Sequence, residues 1–392
     1  MDTLHTVLNR GCSVWDKSLI PLNEFQRRIA QVREGMRGRG VDLLLVYGDS
    51  WRFGHLAFVS HFMPKNRGAL AVIPLEGEPA LIVQEPDRNN PFSRSLTWIN
   101  DVHSVGQFAK GLGEVIKARD LKPKVVGLVS VEEQLGVRQW TELFKGLDGI
   151  KRVACGEILD SLRLVKNSHE ETLLRQSCGI LEEALSLLKS ELRAGQSENE
   201  VMALVDHVVR RRGAEDFRFM IARSSQPDMG LRPAGSAILA TGEAILVVMA
   251  ASYQRHWVEV GQTLCLGRPS QEVVASYKSA TALFRRFAEG LTAGADAQFT
   301  NRCLEESGTS AAERSSVNAY GAGNGIGLDL VEKPILGVGG GVTIKEGMVL
   351  TLRVCLQGRQ CGSALISRPY RVTSRGLESL VREGEELVTV AA

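Results

Sequence analysis

The sequence predicts an α/β domain followed by an α+β domain built on a curved antiparallel sheet. Three observations carry this. The first 155 or so residues alternate helical periodicity with short apolar runs. Two capped and striped helices open the second half. Long apolar segments interleaved with helices then run to the end. With 392 residues, 44% of them hydrophobic, the chain can bury two cores of ordinary size.

The elements follow in order. Phe25, Ile29, Val32 and Met36 recur at helical spacing, and Gly40 stops the pattern. The apolar run from Asp42 to Gly48 suits a buried strand. Ala69–Pro74 and Pro79–Val83 flank Leu75–Glu78 as a hairpin. A helical stretch near 107–119 precedes a strand at Val125–Ser130. In the second half, Ser168 with Glu171 predicts a capping box. Leu174, Ser177, Leu181, Ala184, Leu185 and Leu188 form its stripe, and Gly195 ends it. Ser197 with Glu200 caps a second helix, stopped at Gly213. Another helix is expected from Gln271 to about Glu289, with strands at 243–252, 257–266, 347–357 and 363–373. No short repeat of fixed period is present.

The net charge of +2 gives no general reason to expect nucleic acid or a membrane surface. No apolar run reaches the roughly 20 residues that span a bilayer. Met1–Asp16 lacks the basic start and apolar stretch of a secretory leader. The seven cysteines, Cys12, Cys155, Cys178, Cys265, Cys303, Cys355 and Cys361, form no CxxC pair. A reduced, cytoplasmic protein is expected. Only Cys355 and Cys361 are close enough in sequence to leave a labile disulfide open.

The stretch Leu162–Glu170 followed by Leu173–Arg175 resembles the domain junction of the creatinase/prolidase/aminopeptidase P family. Glu24–Phe62, Gly242–Gly267, Gly323–Pro334, Gly347–Arg353 and Ile366–Gly376 resemble further family segments in order and spacing. The resemblance covers nearly the whole chain. It implies a creatinase-like N-terminal domain over 1–158, a pita-bread domain over 159–392, and a homodimer. It also implies a two-metal centre that activates water, with five ligands falling on Val248 (or Met249, one residue on), Glu259, Asn324, Arg353 and Ser367.

Those residue types do not suit metal. Two hard divalent cations need several carboxylates, and one remains. Arg353 brings a fixed positive charge, which repels another unit charge 4 Å away by about 4 kcal/mol at an effective dielectric of 20. Beyond His207 the chain has a single histidine, His256. No metal or other cofactor is expected. The metal-free pattern of creatinase is missing as well: its base position falls near Leu231–Arg232, and its guanidino-gripping glutamates fall on Gly261 and Arg353.

What remains suggests a cationic pocket. Arg353 can take a carboxylate in bidentate fashion. Alternation puts Thr351, Arg353 and Cys355 on one face. Glu259 is the candidate acid/base, or else the ion-pair partner of Arg353. His256 is the one imidazole available as a base, and Asn324 a hydrogen-bond donor. Arg223, Arg232, Ser367 and Arg368 are candidates to bind substrate, with pairing to nearby acids as the alternative for the arginines. Gly337–Gly341 reads as a hairpin loop rather than a phosphate cradle. In family dimers the segment holding Trp51, Arg52, His55 and His61 can approach the partner's site.

Three functional readings stay open. The first is a metal-independent enzyme acting on a small, anionic, amino-acid-like substrate, most simply by hydrolysing a C–N bond. The second is a catalytically silent protein that binds a ligand or peptide. The third is a lyase or rearrangement enzyme on the same scaffold. None involves nucleic acid or a membrane.

Overall fold

Strand Leu43–Asp49 (β1) is apolar at nearly every position because both of its faces are covered. Leu43, Leu45 and Tyr47 pack with Phe108 and Leu112, and Leu44 and Val46 on the other face are equally buried. In this computed structural model, β1 lies inside a six-stranded sheet. Its companions are Gly68–Pro74 (β2), Ala80–Gln84 (β3), Asp101–Val105 (β4), Val125–Val129 (β5) and Lys151–Ala154 (β6), in the order β4-β3-β2-β1-β5-β6. The pairs β1/β2 and β2/β3 are antiparallel and the others parallel. The helix Leu22–Arg39 ends at Gly40, whose φ of 61° lets its N–H reach the carbonyls of Met36 and Arg37. The structure describes residues 14–65, 67–147, 149–338, 342–382 and 384–391. Cys12 and the last three glycines of Gly337–Gly341 lie outside them.

The chain divides into two compact units, Met1–Arg163 and Leu164–Ala392. The division falls near the end of the helix Gly156–Leu164, within the same helix that contains the 158/159 boundary implied by the resemblance.

The second unit holds a nine-stranded sheet. Its strands are Asp216–Arg223 (β7), Ala244–Tyr253 (β8), His256–Leu266 (β9), Gly323–Gly325 (β10), Glu332–Ile335 (β11), Val349–Gly358 (β12), Gly362–Thr373 (β13), Gly376–Ser379 (β14) and Val388–Val390 (β15). The order is β11-β10-β12-β13-β9-β8-β7, with β14 on β13 and β15 parallel to β9. All other pairs are antiparallel.

The helix Ser168–Glu191 lays Leu174, Leu181, Leu185 and Leu188 on the core of the β8/β9 hairpin. The helix Gln271–Gly290 lays Leu283, Phe284 and Phe287 on the β12/β13 hairpin. The first helix starts one residue earlier than expected. Asn167, not Ser168, is the N-cap: it accepts the N–H groups of His169 and Glu170, and Glu170 returns a bond to the Asn167 N–H. Ser197 and Glu200 form the second box as expected. No helix among the described residues is long and apolar enough to cross a membrane.

Candidate functional site

Cross-strand register builds the site. Val248 of β8 pairs with Gly261 of β9, Gly261 with Ser367 of β13, and Ser367 with Arg353 of β12. Four residues distant in sequence thus form one row across four strands. Glu259 lies two residues from Gly261 on the same face, and Asn324 of β10 pairs with Thr351, two residues from Arg353. Gly261 permits the closest approach: a Cβ there would stand 2.8 Å from the Cβ of Ser367 and 3.2 Å from Leu365.

Glu259 and Arg353 meet in a bidentate ion pair. Arg353 Nε donates to Glu259 Oε1 at 2.9 Å, and Nη2 donates to Oε1 at 2.7 Å and Oε2 at 2.8 Å. Arg353 Nη1 donates to the Tyr320 carbonyl at 2.9 Å, and Ser367 Oγ donates to Glu259 Oε1 at 2.7 Å. The side chains are 7% exposed for Glu259 and 15% for Arg353. The planar fork of guanidinium matches the carboxylate, and each offsets the burial cost of the other.

Beside this cluster, Val248 packs with Ala222, Leu246, Cys355 and Leu365, and Leu231 and Tyr320 close over them. Asn324 is turned inward and donates its amide to the carbonyls of Gly325 at 2.7 Å and Leu330 at 3.1 Å.

The donor set does not fit a pair of divalent metals. Val248 offers no donor. Asn324 offers a neutral amide oxygen and no charge to offset a cation. Both oxygens of Glu259 already accept from Arg353, whose guanidinium occupies the space beside the carboxylate. Among the described residues no group of three or more His, Cys, Asp or Glu is arranged to hold a metal ion.

Four of the sequence-predicted residues are held elsewhere. His256 is completely buried on the opposite side of β9, the side covered by the helix Ser168–Glu191. Its Nδ1 meets the Gln254 carbonyl at 2.7 Å, and its Nε2 lies 4.0 Å from Glu170. Arg368, next to Ser367, also points away from the pair. It donates to the carbonyls of Gly261, Ser367 and Gly384 and to the Gln262 side chain. Arg223 is paired with Glu243 at 2.6 Å, and Arg232 with Glu198 at 2.6 Å. Burial pushes Glu243 up, but the Arg223 and Ser225 hydrogen bonds and the Ala240 N–H outweigh it and hold the carboxyl below its ordinary value. Glu198 is likewise raised by burial, and held low overall by Arg232, the Gly235 N–H and Arg223.

Alternation alone separates two of these four from the pair. Residues 256 and 259 differ by an odd number on one strand, and so do 367 and 368, so neither pair shares a face. Tyr320, Glu198 and Glu243 were missed because their partners are remote in sequence and no local pattern announces them.

Among the described residues no thiol offers a nucleophile at the cluster. Cys355 and Cys361 are both free, and burial pushes the Cys355 thiol well above its ordinary value. Burial also pushes Cys265 up to about 11. In the first unit, His55 contacts Ser130 at 2.9 Å and Asp160 at 3.0 Å. His61 is buried beside the Phe25 ring, and Trp51 is exposed.

A curved antiparallel sheet with helices packed on one face and a candidate site on the other is the pita-bread architecture. The profile of metallopeptidase family M24 matches residues 172–374. A Xaa-Pro dipeptidase from Pyrococcus horikoshii is 22% identical over 369 residues, covering 92% of this chain and 98% of that protein. The solved Xaa-Pro dipeptidase from Bacillus anthracis superposes with a TM-score of 0.78 at 19% identity, over 93% of this chain and 100% of the other. The prolidase from Pyrococcus horikoshii also gives 0.78, at 20% identity over 92% and 100%. The chain belongs to metallopeptidase family M24 and has its pita-bread fold.

Proposed function

We propose that this chain is a prolidase-like member of the family that recognises a short peptide or amino-acid-like ligand at its pita-bread face without hydrolysing it. One observation carries the reading: the last carboxylate among the five ligand positions, Glu259, is spent on Arg353 and Ser367. A general base needs a lone pair directed at the water it deprotonates. Here Oε1 accepts from two guanidinium N–H groups and a hydroxyl, and Oε2 accepts from Nη2.

The ligand class follows from the relatives, two of which are named for action on Xaa-Pro dipeptides, and from Arg353, which keeps part of its surface open. A free carboxylate is the group a guanidinium recognises best.

Two measurements test this. Xaa-Pro dipeptides incubated with the purified chain, with and without added manganese, cobalt or zinc, should show no turnover above buffer. Calorimetry with the same dipeptides should show saturable binding that Arg353→Met removes. Turnover without metal that Glu259→Gln abolishes would instead establish metal-independent hydrolysis, and metal-dependent turnover would overturn the reading of the donor set.

A further inference from the structure

The first unit contains a second candidate site, at the end of β3. Two adjoining cavities, of about 510 Å3 and about 280 Å3, share Arg67, Gln84, Glu85 and Arg88 in their walls. Glu85 follows the strand directly and is only partly accessible. Its two oxygens accept from Ser93 Oγ at 2.9 Å and Ser104 Oγ at 3.0 Å. No cation pairs with it among the described residues. Burial raises the proton affinity of this carboxyl, against the pull of the two hydroxyls.

Buried carboxylates are normally offset by a positive partner. Two hydroxyl donors leave part of the acceptor capacity of Glu85 unfilled, and the group lines both cavities. The smaller cavity has an apolar part to its wall, made by Phe62, Met63, Val83, Phe92 and Leu96, alongside the polar and charged Lys65, Arg67, Gln84, Arg88, Asn89 and Ser93. The Phe92 ring already attracts one cation, with Lys65 Nζ 4.7 Å from its centroid. Arg67 and Arg88 stand exposed at the shared rim. On the far wall of the larger cavity, Lys110 and Glu114 face each other at 3.9 Å.

We infer that this double cavity binds a free amino acid with an apolar side chain. The ammonium group meets Glu85, the side chain enters the cavity lined by Phe62, Met63 and Phe92, and the carboxylate meets Arg67. The three recognition elements are a carboxylate without a counter-ion among the described residues, an apolar recess and a guanidinium group at its mouth. The smaller cavity borders on the size of a small-ligand pocket, and the larger falls within it. This site lies wholly within the first unit and does not depend on the reading of the pita-bread face.

The test uses the full chain, with L-leucine as the probe, followed by calorimetry and by 13C-methyl NMR. Leucine should bind saturably and shift the methyl resonances of Met63, Val83 and Leu96. N-acetyl-L-leucine, which lacks the ammonium group, should bind at least about tenfold more weakly, and so should leucine to Glu85→Gln. If Glu85→Gln does not fold, the comparison of leucine with its N-acetyl form on the unaltered chain still decides. Absence of leucine binding, equal affinity for the two compounds, or shifts confined to methyls elsewhere would each overturn the inference.

Discussion

Replacing Arg353 by methionine keeps an unbranched stem but shortens the side chain and removes its charge. Glu259 is then left nearly buried beside Val248, with the Ser367 hydroxyl as its one remaining donor at Oε1. Three contacts to the carboxylate and one to the Tyr320 carbonyl disappear. Removing one partner of a buried ion pair costs ~3–5 kcal/mol. Because the Arg353 side chain keeps 15% exposure, water can partly replace it, and the loss should be about 3 kcal/mol. Removing both charges, with Arg353→Met and Glu259→Gln together, should restore all but about 1 kcal/mol, since no uncompensated charge remains. Denaturant unfolding followed by the fluorescence of Trp257, which sits in the second unit on β9, measures both. A single variant within about 0.5 kcal/mol of the parent, or a double variant no better than the single, would refute the claim that the pair holds this face together.

Three further outcomes are expected. Gly261→Ala places a methyl 2.8 Å from the Cβ of Ser367 and should destabilise the second unit by ~1–3 kcal/mol in the same unfolding measurement. The depressed carboxyls of Glu198 and Glu243 contribute stability that is complete above their unfolded value of 4.5 and is lost as pH falls through the lower folded values. A stability curve taken into acid should therefore decline below about pH 4.5, and Arg223→Gln with Arg232→Gln should flatten that limb. Iodoacetamide at mildly alkaline pH should modify the half-buried Cys361 well before Cys178 or Cys355, whose thiols burial pushes far above the ordinary value. Peptide mapping by mass spectrometry reads the order.

Much of the fold was legible because it is written locally. Gly40 and the Ser197 box mark helix ends by chemistry that involves neighbours in sequence. The shift of the other box from Ser168 to Asn167 has the same origin. Both frames place a glutamate three residues on, and only the extended backbone of Asn167 (φ −87°, ψ 175°) decides between them. Strand β7 was not read, although Phe217, Phe219 and Ile221 alternate along it.

The site was legible only in part. Arg353 and Glu259 could be paired because both sat at positions expected to converge. The partners of Arg223, Arg232 and Arg368 come from a turn, the start of a helix and a strand whose placement beside them the sequence does not reveal. His256 was drawn toward the site by its residue type, while strand geometry sends it to the helix-covered side.

The Glu259–Arg353 pair spans β9 and β12 across β13, which lies between them and adds Ser367. Three strands are clasped by groups that every ribosome supplies. Where an ion performs that service, the finished protein waits on metal delivery and can be undone by a chelator. This sheet carries its own fastener, so its yield should be indifferent to metal starvation, and growth in chelated medium should leave the amount of folded chain unchanged.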